Sequence, residues 1–129
     1  MELLAIITVL VLAQAFMFAI QVGQARMKHG VKAPDISGNA DFERVFRVHQ
    51  NTLEQLILFV PALWIFGMYV HQLTGAAIGL VFLIGRFIYR AAYINDPASR
   101  SLGFGLGAAA LAVLMLGGLI GAAMSYMAA

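Results

Sequence analysis

Four long apolar runs, each close to what a bilayer crossing demands, constrain this chain more than any other feature. Leu3 to Ile20 is apolar except for Thr8 and Gln14, and Leu56 to Val70 is apolar around Pro61. Ala76 to Gly85 is apolar before passing into a mixed segment, and Leu102 to Met124 contains no charge. A helix needs roughly 20 apolar residues to cross the hydrocarbon, so four spans nearly exhaust the chain. The expected fold is an all-α integral membrane protein with one domain, a four-transmembrane-helix bundle. The spans are expected at about 3–22, 53–71, 75–94 and 102–125, with the second helix extending beyond the hydrocarbon from about residue 41.

Composition agrees, with 62% hydrophobic and 11% charged residues, far from the balance of a water-soluble domain. The first run reads as a span and not a secretory leader, because Met1-Glu2-Leu3 offers no basic segment and the run is long for a leader core. There are no cysteines, which excludes disulfides, thiolate metal sites and a protein thiol nucleophile. Any sulfur chemistry must use a substrate's sulfur. No metal site is expected either, since no second histidine stands at ligand spacing from His49.

Turn chemistry punctuates the runs. Residues 30–41, with Pro34, Asp35, Ser37, Gly38 and Asn39, read as a loop, and Asp41 reads as the cap of the second helix. His71 to Gly75 reads as a short turn, with the third helix starting near Ala76 and stopped by Asn95-Asp96-Pro97. Gly103, Gly107, Gly117 and Gly121 recur at spacings that permit close helix contact. Gly103, Gly105 and Gly107 follow no strand and make no phosphate cradle.

All eight basic residues, Arg26, Lys28, Lys32, Arg44, Arg47, Arg86, Arg90 and Arg100, fall in or beside the first and third connections. Four spans put those connections on one membrane side, which the positive-inside rule makes cytoplasmic. Interrupted by apolar spans, these residues form no basic tail and predict no nucleic-acid binding.

Within the second helix, Arg47, Asn51 and Glu54 stand at i, i+4 and i+7 and line one face for about 10 Å. A cation, an amide and an anion in that order suit a zwitterionic peptide-sized ligand: the guanidinium forks onto a carboxylate and the carboxylate accepts from an ammonium. His49 lies about 200° round from Arg47 and faces elsewhere. In the third helix Arg86, Tyr89 or Arg90, and Tyr93 form a second polar stripe at the same end, so a cleft between the two helices is expected, with Arg100 following it.

The run Phe42-Glu43-Arg44-Val45-Phe46-Arg47-Val48-His49-Gln50-Asn51, followed by Glu54, resembles the signature of the membrane-associated proteins in eicosanoid and glutathione metabolism. Gly85-Arg86, Tyr89, Tyr93 and Arg100 are similar in spacing to the third-helix region of its microsomal glutathione transferase branch. The resemblance implies a homotrimer that binds glutathione as co-substrate at each subunit boundary on the cytosolic side. It implies that Arg47, Asn51, Glu54, Tyr89 and Tyr93 hold glutathione from one subunit while Arg26 and His49 reach in from the neighbour. It implies further that Arg100 takes the place of the arginine that stabilises the glutathione thiolate. The function so implied is a membrane glutathione S-transferase acting on lipophilic electrophiles, with glutathione peroxidase activity on lipid hydroperoxides as a companion. The expected location is a bacterial inner membrane or the endoplasmic reticulum. Two other readings compete: a non-catalytic lipid-binding or scaffold member of the same family, and a small multidrug transporter. The transporter would need an acid in the first span, where this chain offers only Gln14.

Overall fold

The computed structural model describes all 129 residues. It contains four helices, α1 (Glu2–His29), α2 (Ala40–Tyr69), α3 (Gln72–Asn95) and α4 (Ser101–Ala128), with a 3-10 turn at Pro97–Ser99. All four are long and apolar enough to cross a membrane. Short connections make successive helices antiparallel, so the α1–α2 loop and the α3–α4 turn lie at the same end of the bundle. Because every Lys and Arg lies in one of those two connections or in the half of its helix nearer to them, that end is called the basic end.

Local chemistry sets the helix boundaries, and two differ from the sequence expectation. Asn39, not Asp41, caps α2: its backbone is extended (φ −150°) and its side chain accepts the Phe42 N–H at 3.0 Å. Asp41 falls inside the first turn, where its charge meets the positive end of the helix dipole. Helix α3 starts at Gln72, four residues before Ala76, because His71 acts as its cap and its Nδ1 accepts the Thr74 N–H at 3.2 Å. A cap satisfies amides that would otherwise be left free, so the chain turns within Val70 and His71. Helix α1 continues past the apolar run to His29 and stops at Gly30, whose left-handed backbone (φ 68°) suits glycine.

The interior is assembled from apolar side chains at helical spacing. Leu4, Ile7, Val11, Ala15 and Phe18 of α1 are buried, as are Leu56, Phe59, Leu63 and Phe66 of α2. The Phe59 and Phe82 rings stack with centroids 4.0 Å apart. Helix α4 approaches α2 closely where side chains vanish: a Cβ on Gly121 would stand 2.7 Å from the Tyr69 carbonyl oxygen. Two polar side chains of the apolar layer donate to partners inside the bundle, while Gln14 Oε1 is buried without one. Trp64 Nε1 donates to Thr8 Oγ1 at 2.9 Å, and Gln14 Nε2 donates to the Leu83 carbonyl at 3.0 Å. Unmade, such bonds would be costly in hydrocarbon. Only 30 of the 129 residues are buried, and Val9, Phe16, Ile57, Leu116 and Leu119 are exposed, so the outer surface is one that lipid or another copy must cover.

Candidate functional site

At the basic end, α2, α3 and the turn before α4 enclose a cleft of about 270 Å³ lined by Arg47, Gln50, Asn51, Glu54, Tyr89, Tyr93 and Arg100. The α2 residues meet there because Val48, Thr52 and Leu56 on the flank of that stripe are buried, which turns Arg47, Asn51 and Glu54 toward the cleft. Tyr89 is held by Phe18 of α1 and Val48 of α2 and stacks on Tyr93, the two ring centroids lying 5.5 Å apart.

Arg100 reaches the cleft through the turn at Asp96. Asp96 Oδ1 accepts the Ala98 N–H at 3.1 Å, and Ser99 Oγ donates to the Ala92 and Asp96 carbonyls at 3.1 and 2.7 Å. These bonds fold the turn back on the end of α3. Arg100 then donates from Nη1 to the Pro97 carbonyl at 3.1 Å, which leaves its other donors free. A second cleft, of about 640 Å³, shares Asn51, Tyr89 and Arg100 with the first and adds Ala98, Ser101 and Phe104. The first turn of α4 therefore borders it, and no side chain caps that turn. Free amides and the helix dipole add positive potential beside Arg100.

None of the cleft's charged groups is neutralised within the chain. The one ion pair in the molecule joins the Met1 amino group to Glu2, far along the chain from this site. Arg47 and Glu54 make no side-chain hydrogen bond, and Asn51 Oδ1 is buried without a partner. A cation, an amide, a carboxylate and a second guanidinium thus present unspent hydrogen-bonding capacity to whatever enters.

The α3 stripe does not stay together. Tyr89 and Tyr93 line the cleft, but Arg86 is fully buried behind it, with its guanidinium carbon 4.2 Å from the Tyr89 ring centroid and Nη2 donating to Thr52 Oγ1 at 2.7 Å. Thr52 donates in turn to the Val48 carbonyl at 2.8 Å. Arg90 turns to the opposite side and donates from Nε to Gln21 Oε1 of α1 at 2.6 Å. Of Arg86, Arg90 and Arg100, only Arg100 lines this cleft, facing Arg47 of α2. Helical spacing fixes an azimuth, but α1 and α2 pack on either flank of α3 and draw in the residues nearest them.

Arg26 and His49 do not line the cleft within one chain. Arg26 secures the α1–α2 loop, donating to the Asp35 carbonyl at 2.5 Å and covering the Phe42 ring at 4.8 Å. His49 is half-buried on another face of α2. Gln50 lines the cleft and was missed; it stands at i+3 from Arg47, on the edge of the same stripe, and that spacing was its signal.

Residues 4–120 match the family model described as the MAPEG family. The chain is 40% identical to human microsomal glutathione S-transferase 2 over 125 residues, covering 97% of this chain and 85% of the relative. An uncharacterized protein of Synechocystis is 43% identical over 116 residues, 90% of this chain and 85% of that one. Leukotriene C4 synthase of Cavia porcellus is 41% identical over 99 residues, 76% of this chain and 65% of the synthase.

Proposed function

The chain belongs to the MAPEG family of integral membrane proteins, and from that premise we propose that it binds glutathione in the Arg47–Arg100 cleft and conjugates it to lipophilic electrophiles. The observation that carries this reading is the convergence, from two helices and a turn, of complementary groups with no partners of their own. Arg47 takes a glutathione carboxylate, Asn51 and Gln50 bond its peptide groups, and Glu54 accepts from its ammonium. Tyr89 and Tyr93 form the wall against which the tripeptide lies.

Chemistry then centres on Arg100. The thiolate is the nucleophile, and a free thiol with a pKa of about 8.5 is mostly protonated at neutral pH. Arg100 and the N-terminal turn of α4 favour the anion, so the thiol proton is released to water and the sulfur pair attacks the electrophile. With an aryl halide, the carbon–sulfur bond forms as halide leaves. With a lipid hydroperoxide, two glutathiones reduce the peroxide to alcohol and water and leave as the disulfide. A soluble thiol enters from the aqueous side and the apolar acceptor arrives through lipid, so alignment and anion stabilisation supply most of the catalysis.

The functional unit of this reading is a trimer, in which Arg26 and His49 of a neighbour complete the cleft and the basic end faces the cytoplasm. The test is turnover of purified protein with glutathione against an aryl halide and a lipid hydroperoxide. Product with either substrate is expected; no product and no glutathione binding would remove the proposal.

A further inference from the structure

On the opposite flank of α3 from the Tyr89 wall, α1, α2 and α3 enclose another cleft of about 360 Å³, also at the basic end, whose lining includes Gln21, Lys28, His29, Asp41 and Arg90. Arg90 is positioned there, because Gln21 accepts from its Nε and the guanidinium carbon lies 5.9 Å from the Phe18 ring centroid. Arg90 makes no other hydrogen bond to the protein, so both of its Nη groups are available to the cleft. Lys28 and His29 have no hydrogen-bond partner either, and no ion pair forms between Asp41 and these cations. Lys28 and Arg90 against Asp41 leave one net positive charge, His29 not counted, which complements a single phosphodiester.

The depth of the cleft in the bundle narrows the ligand further. Met17 lies one turn deeper than Gln21 on α1 and Phe87 one turn deeper than Arg90 on α3, and both are exposed large apolar side chains. From the cleft toward the middle of the bundle the exposed side chains on α1 and α3 therefore change from cationic to apolar, the order of groups in a phospholipid. Basic pockets between spanning helices recognise anionic headgroups in this way. Lys28 stands about 200° round α1 from Arg26, so a neighbouring subunit covering the Arg26 face leaves this cleft open to lipid.

We propose that the Lys28–Arg90 cleft binds the phosphodiester of an anionic glycerophospholipid, with Arg90 and Lys28 on the phosphate, Asp41 accepting from headgroup hydroxyls, and an acyl chain lying over Met17 and Phe87. This site is separate from the Arg47–Arg100 cleft and stands whether or not that cleft binds glutathione.

The test is native mass measurement of the delipidated full chain in mild detergent, titrated with phosphatidylglycerol or with phosphatidylcholine. The wild type is expected to retain phosphatidylglycerol preferentially. Lys28→Gln should lower that retention about fivefold, and Lys28→Gln with Arg90→Gln should remove the preference. Lys32→Gln, a loop cation outside the cleft, should leave it intact. Arg90 also bridges two helices, but Lys28 is exposed, so the single Lys28 variant tests the site without disturbing the fold. Equal retention of both lipids by the wild type, or unchanged preference in Lys28→Gln, would overturn the proposal. Displacement of the lipid by glycerol phosphate at equal concentration would overturn its lipid assignment in favour of a soluble phosphate.

Discussion

A Cβ placed on Gly103 would stand 2.6 Å from the Cα of Tyr89 and 2.9 Å from the Gly85 carbonyl oxygen, so α3 and α4 meet backbone to backbone beside the cleft. Backbone cannot swing aside as the tip of a side chain can. Gly103→Ala should therefore push the two helices apart, cost about 1–3 kcal/mol of stability and displace Tyr89 relative to Arg100. Gly105→Ala, with nothing within 4 Å of the added methyl, should be neutral or stabilise by up to about 1 kcal/mol through helix propensity. Thermal unfolding of both variants in detergent checks the contrast. Equal melting temperatures would show that the approach at Gly103 yields freely.

Arg86 and Thr52 form a buried pair without an acid. Thr52→Val removes the acceptor of Nη2 and leaves the guanidinium with less compensation, at a cost of about 1–3 kcal/mol. Adding Arg86→Met to that variant should recover part of the loss, because the unpaired charge leaves with it. A double-mutant cycle on unfolding measures the coupling. Strictly additive effects would mean that the bond contributes nothing.

Arg100 and Arg47 should separate catalysis from binding. A thiol pKa lowered by about two units requires roughly 2.7 kcal/mol of preferential anion stabilisation and raises the ionised fraction at pH 7 about 25-fold. Wild-type turnover should level off above about pH 7.5 and fall as pH drops through the lowered pKa, about 6.5. In Arg100→Ala it should keep rising to about pH 8.5, the free thiol value, with glutathione affinity little changed. Arg47→Ala should weaken affinity more than it alters that profile. Ultraviolet absorption of the thiolate on glutathione binding checks ionisation directly. A wild-type profile and signal in Arg100→Ala would pass the role to another cation.

How much of this was legible in the sequence follows from what helical spacing encodes. Arg47, Asn51 and Glu54 could be placed on one face because a helix repeats by simple geometry, and they do line one cleft. The same geometry put Arg86, Arg90 and Tyr93 within about 60° of one another, yet only Tyr93 reaches that cleft. Arg86 is two turns deeper, where α2 supplies Thr52, and Arg90 lies toward α1, where Gln21 takes it. Azimuth is local information, whereas the identity of the facing helix depends on tertiary packing. Caps fail for a similar reason: Asn39 and Asp41 are both good capping residues, and the extended backbone at Asn39 decides between them.

Topology gives a simple test. With all basic residues near the first and third connections, both termini should lie on the outer side. A reporter fused after Ala129 should be active only there. Cytoplasmic reporter activity would reverse the assignment.

Assembly gives another. A lone chain leaves Glu54 and Arg47 exposed near its apolar flank, an arrangement that a neighbouring subunit would cover. Native mass measurement in mild detergent should find a trimer. Monomer alone, with activity intact, would rule it out.

The buried Arg86 also bears on how the chain enters the membrane. A guanidinium near the centre of an isolated spanning helix costs about 2.5–3.5 kcal/mol by insertion scales, so α3 carries that penalty when it partitions into lipid by itself. Its one hydrogen-bond partner, Thr52, is carried on α2. Synthesis runs from the N-terminus, so the acceptor is already in place when the arginine emerges. The order of the helices along the gene product thus doubles as an order of integration, in which α2 escorts α3 into the bilayer.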